Sequence, residues 1–112
     1  MNVSAIKYAV EVDHGVKRLS MRSIKQYAAP ERARLSAELC TQISEEFERI
    51  GLITVPHTLP RSENEFVWVI QRDSPLGKVV AVAAALANLD TLDVSPVPQL
   101  FDNYPGAKQV LT

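Results

Sequence analysis

Leu35-Ser36-Ala37-Glu38-Leu39-Cys40-Thr41-Gln42-Ile43-Ser44-Glu45-Glu46-Phe47-Glu48-Arg49-Ile50-Gly51-Leu52-Ile53-Thr54-Val55 is the stretch that decides what kind of domain the chain makes. Leu35, Leu39, Ile43, Phe47 and Ile50 recur at spacings of four, four, four and three. That is the period of one apolar stripe along a helix of about five turns, with the charged residues left on the opposite side. Gly51 takes the left-handed stop that ends such a helix. Leu52-Ile53-Thr54-Val55, rich in β-branched residues, follows at once as a strand.

Toward the start of the chain, Ala29-Pro30 breaks the helix before it and presets the first position of the helix after it, so the long helix is expected to begin there. Ser20 caps a shorter helix from Met21 to about Ala28, with Met21, Ile24 and Tyr27 or Ala28 turned inward and Arg22 and Lys25 outward. Asp13-His14-Gly15 is a turn. Val3 to Val12 reads as a first helix with Ile6 and Val10 inward, or, from the Val10-Glu11-Val12 alternation, as a short strand.

Toward the other end, Glu65 to Gln71 reads as a second strand that pairs with Leu52–Val55 in a hairpin. The polar loop from Pro56 to Asn64, with His57 and Arg61, is longer than a tight turn and is expected to project with an exposed tip. Phe66, Trp68 and Ile70 share one strand face and are expected in the core, with Val67 and Val69 suggesting that the other face is covered too. Asp73-Ser74-Pro75 starts a helix that runs through Leu76 to about Leu89, with Lys78 its only charge. A helix apolar all round must be buried on every side. In so small a domain a second copy of the chain is the expected cover, with Leu76, Val79, Val80, Ala83 and Leu86 at the dimer interface. Beyond Leu89 neither period continues, and 90–112 is expected to be an extended, Pro-rich arm whose Leu100, Phe101 and Tyr104 dock on the domain or on a partner. The expected division is therefore a domain over 1–89 and an arm over 90–112.

With 112 residues, 46% of them apolar and 22% charged, the chain falls in the range of one folded domain and away from the composition of disorder. Its single cysteine, Cys40, allows no internal disulfide, and Lys7 and Glu11 interrupt any secretory leader, so the expected location is the cytoplasm. The longest apolar run, Val79 to Ala87, is about half of what a membrane-spanning helix needs. A net charge of −1, taken as an average, argues against a nucleic-acid partner. The average hides an asymmetry: His14 to Arg34 carries Lys17, Arg18, Arg22, Lys25, Arg32 and Arg34 against Glu31 alone, whereas the rest of the chain after Arg34 is predominantly acidic.

From Ser20 to Ile70, a short helix, a turn, a longer helix ending in Phe47-Glu48-Arg49-Ile50-Gly51-Leu52-Ile53 and a two-stranded hairpin resemble a winged helix-turn-helix. The expected fold is thus α+β: a small winged-helix-like domain with three N-terminal helices, a β-hairpin wing, a C-terminal apolar helix and an extended tail. The resemblance implies that the second helix of the motif lies in the major groove of DNA and that the hairpin loop reaches phosphates or the minor groove. On that reading Arg32 and Arg34 meet base edges or phosphates with Ser36 beside them, Lys17, Arg18, Arg22 and Lys25 neutralise backbone phosphates, and Arg61 does so from the wing. The alternative for the same residues is a solvated surface, with Arg34 and Glu38 as an i,i+4 pair.

Chemistry is not expected. Two histidines and one cysteine give no zinc set, four glycines give no phosphate loop, and no metal or cofactor is called for. Glu45, Glu46 and Glu48 read as a solvated face with Arg49 four residues after Glu45, and Cys40 as a small buried hydrophobe. The function expected is that of a homodimeric DNA-binding transcriptional regulator acting by occupancy. The alternative is a non-enzymatic protein-interaction or accessory subunit that docks on a larger partner through the apolar last helix and the arm.

Overall fold

The chain is described over residues 1–112 by a computed structural model. Its first helix, α1 (Ser4–Val12), buries Ile6 and Val10 with Val3 just before them, while Val12 stays exposed. Helical spacing, not the local alternation, therefore governs this segment. The chain reverses through His14 and Gly15, both at positive φ, and the Gly15 amide donates to the Val10 carbonyl at 2.8 Å. A strand the sequence reading did not mark follows, β1 (Val16–Ser20). Lys17 and Arg18 mask it, because only Val16 and Leu19 supply apolar side chains in five residues.

Ser20 ends that strand and caps α2 (Met21–Ala28), accepting from the Ser23 amide at 3.1 Å. Met21, Ile24 and Ala28 are the buried positions, and Tyr27 is exposed. The long helix, α3 (Ala37–Arg49), begins seven residues later than Pro30 predicts. Ser36 is the physical reason: its hydroxyl accepts from the Leu39 amide at 3.1 Å and so fixes the first turn there. Leu35 is still buried, but from the loop, and the helix itself buries Leu39, Cys40, Ile43 and Phe47. Gly51, at φ +82°, turns the chain into β2 (Leu52–Val55), which pairs antiparallel with β3 (Phe66–Gln71).

The sheet has the order β1-β3-β2, with Val16 opposite Ile70 and Leu52 opposite Gln71. Val67 and Val69 face the helices and join the main core with Phe47, Met21, Ile24, Leu39 and Ile43. The expectation that Phe66 and Trp68 are core is overturned: both are 48% exposed. Alternation is respected, but the three helices cover the valine face, leaving the aromatic one outside. Of its three residues only Ile70 is buried.

The β2–β3 loop has an exposed tip at Arg61 and Ser62, as expected, but it folds back on the body and does not project. Leu59 is buried, and the carbonyls of Glu63 and Glu65 accept from the amides of Arg22 and Met21 at 3.1 and 2.8 Å. The loop thereby satisfies amides at the start of α2 that have no partner within that helix.

The last long helix, α4 (Pro75–Thr91), is capped by Ser74 and buries only Gly77 and Ala87. Within this chain it is not covered on every side. The tail is also more ordered than an extended arm: Phe101 is buried, and α5 (Pro105–Leu111) packs against α4, with Lys108 Nζ 2.7 Å from Asp90 Oδ2. The His57 amide donates to the Val110 carbonyl at 2.7 Å, bringing the tail back to the β2–β3 loop. Five helices and a small antiparallel sheet make the fold α+β. No helix is long and apolar enough to cross a membrane.

Candidate nucleic-acid interface

The basic residues predicted to meet DNA divide into two groups. Four are engaged within the chain. Lys17 pairs with Asp13, and Lys25 Nζ lies 3.5 Å from Glu63 Oε1. Arg22 Nη2 donates to Asn64 Oδ1 at 3.0 Å, which holds the loop against α2. Arg18 lies on the outer sheet face with its guanidinium 4.0 Å from the centre of the Phe66 ring, a cation–π contact.

The other group is free. Arg32 and Arg34 are exposed in the loop between α2 and α3, and neither makes an ion pair; the predicted Arg34–Glu38 pair is not formed. Ser36 follows them, but its hydroxyl oxygen is occupied as the cap of α3. Arg61 is exposed on the β2–β3 loop beside Pro60, whose carbonyl accepts from Cys40 Sγ at 3.5 Å. Arg32 and Arg34 thus sit in the loop that enters α3, and Arg61 lies in the groove beside Ala37 and Cys40 in its first turn.

Between α3 and the β2–β3 loop runs a groove of about 630 Å³. Ala37, Cys40 and Arg61 line one end, while Glu45, Glu48 and Arg72 line another part of it. Arg72 Nη2 is 4.0 Å from Glu48 Oε1. Burial pushes the Cys40 thiol up, and the nearby charge of Arg61 only partly opposes this. Cys40 therefore stays a neutral thiol at physiological pH, in keeping with a packing role. On the neighbouring side Arg49 pairs with Glu46 at 2.7 Å, not with Glu45, and that hydrogen bond holds the Glu46 carboxyl below the usual carboxylate range.

The outward side of α3 is acidic, presenting Glu38, Glu45 and Glu48 with Thr41 between them. No group of three metal-ligating side chains converges anywhere in the fold. The sequence alone does not place Arg61 beside the first turn of α3, nor mark Arg72, since both depend on how the loop folds back. The one local signal was Leu59, a large apolar residue inside an otherwise polar loop. Compared with known proteins, the chain matches no family model, no curated protein and no solved structure.

Proposed function

We propose that the domain binds duplex DNA through a narrow basic tip at the start of α3 and acts in the cytoplasm as a transcriptional regulator, by occupying its site and not by catalysis. The observation that supports this reading is that Arg32 and Arg34, in the loop entering an amphipathic helix, and Arg61, in the groove beside the first turn of that helix, are exposed and free of ion pairs. A helix N-terminus adds partial positive charge of its own, and an arginine fork matches a phosphate or a guanine edge. The order of short helix, loop, longer helix and hairpin is the one the winged helix-turn-helix resemblance implies, and in that family the longer helix enters the major groove.

Glu38, Glu45 and Glu48 repel phosphate along the rest of α3, so contact is made tip-first and the helix does not lie along the groove. Few phosphates are then neutralised. Titrating a labelled duplex pool by fluorescence anisotropy across a salt series should give a log–log slope of about −2.7, that is 0.9 for each of three arginines. An Arg32→Ala, Arg34→Ala variant should retain a slope of about −0.9 and bind at least tenfold more weakly, on the order of one lost phosphate contact or more. Absence of binding at the lowest salt, or full affinity in the folded double variant, would overturn the reading.

A second reading, an accessory subunit that docks on a larger protein, is favoured by the exposed apolar side of α4, where Val79 and Val82 are more than 60% exposed. It predicts a chain that aggregates alone and is well behaved only with its neighbour.

A further inference from the structure

The exposed side of α4 has a pattern of its own. Val79, Val82, Leu86 and Leu89 follow at spacings of three, four and three, which is the seam of a helix pair. Val79 is 65% and Val82 62% exposed, and Leu86 and Leu89 are only half-buried. Between Lys78 and Asp90 the helix carries no charge, so covering this seam desolvates no ion. Ala81 and Ala85 are the exposed alanines of the helix and keep its uncovered side small.

The spacing reads the same in both directions, with Ala84 at its centre. From this we infer that α4 pairs with α4 of a second copy, antiparallel, about a two-fold axis at Ala84. The pairing sets Val79 against Leu89 of the second copy and Val82 against Leu86 of the second copy, each contact occurring twice, as an isologous interface requires. The charges are complementary in the same register. Asp90 of each copy is held by its own Lys108, so the acidic group left for Lys78, which has no ion pair in its own chain, is the exposed Asp93 of the second copy, about one turn away. The helix dipoles also oppose one another.

The ends of α4 carry a further match. At its start, Leu76 with Val16, Val55, Trp68 and Ile70 forms a wholly apolar hollow on the outer sheet face. Just past its end, Val94 and Val97 are exposed. An axis at Ala84 brings the segment around Val94 of one copy to the level of Leu76 in the other, so each hollow meets apolar side chains that have no cover in their own chain.

Sedimentation equilibrium of the full chain without DNA tests this. The expected species has twice the mass of the 12.4 kDa chain. Val82→Lys, at a side chain that contributes nothing to the core, should leave the circular dichroism spectrum unchanged and weaken the dimer by about 100-fold, tenfold for each symmetry-related lysine. Direction is read by cysteine pairing in a Cys40→Ala background. Val79→Cys mixed with Leu89→Cys should cross-link on oxidation, whereas Val79→Cys alone should not. Two copies of position 79 lie about 15 Å apart in the antiparallel pair, beyond disulfide reach. A monomeric wild type, a dimer indifferent to Val82→Lys, or efficient cross-linking of Val79→Cys with itself would each overturn the inference. Because no DNA is present, none of these outcomes bears on the duplex-binding reading.

Discussion

Gly77 shows how tightly one residue constrains where a helix starts. A Cβ built there would lie 2.0 Å from the Gln71 carbonyl oxygen and 2.7 Å from that of Arg72, and both are backbone atoms. No side-chain rotation relieves such an overlap, so β3 or the first turn of α4 must shift. Gly77→Ala should therefore destabilise the domain by about 1–3 kcal/mol, the cost typical of overpacking, although alanine is the better helix former. Urea unfolding reads this as a lower midpoint with an unchanged slope; a variant as stable as the parent would show that α4 moves freely against the sheet. Gly51 is the useful contrast. It needs glycine for its φ of +82°, yet nothing lies within 4 Å of a Cβ there. One glycine is required by space and the other by backbone conformation.

Among the elements, β3 sets two environments side by side. Val69 is fully buried beneath the helices, whereas Phe66, three positions earlier on the opposite face, is about half exposed and carries the Arg18 guanidinium over its ring. Val69→Ala should cost about 2 kcal/mol, from two lost methyl equivalents and the space they leave. Phe66→Ala, despite removing a larger group, should cost less than about 1 kcal/mol, the order of an exposed cation–π contact. Thermal unfolding of the two variants would invert this order if the aromatic face were the core.

The same strand explains what could be read in advance. The stripe from Leu39 to Phe47, the Ser20 and Ser74 caps and the β2–β3 pairing depend on local periodicity and hydrogen bonding, and all are visible in the sequence. Which side of β3 is buried is not a local property, because Val67–Val69 and Phe66–Trp68 alternate equally well. β1 escaped notice because its partner is some fifty residues away, and α5 because seven residues with a glycine second make a weak helical signal. At the site, Arg32 and Arg34 were legible from charge patterning. The place of Arg61 beside the first turn of α3 was not, because it depends on the fold-back of a loop anchored by the Met21 and Arg22 amides and by the long-range pairs Arg22–Asn64 and Lys25–Glu63.

At the scale of the whole molecule, α4 meets the body at β3 and carries α5 in turn, in a shape 45 × 28 × 21 Å. α5 buries none of its own residues and is held by the Lys108–Asp90 pair and the His57–Val110 hydrogen bond. Deleting Pro105–Thr112 should therefore lower stability by no more than about 2 kcal/mol, one hydrogen bond plus one partly exposed ion pair. Hydrogen exchange at the His57 amide should quicken in the deletion while exchange at Val67 and Val69 barely changes. A loss of most of the folding free energy would mean that the tail belongs to the cooperative core.

The order β1-β3-β2 has a consequence for synthesis. The strand made last is the middle one, and the two earlier strands pair with it and never with each other. While a ribosome is still adding the residues before Phe66, Val16–Ser20 and Leu52–Val55 have already been made with no neighbour to accept their amides. Neither edge strand can complete its hydrogen bonding until Phe66–Gln71 has been made, so the sheet forms only once its last strand is present.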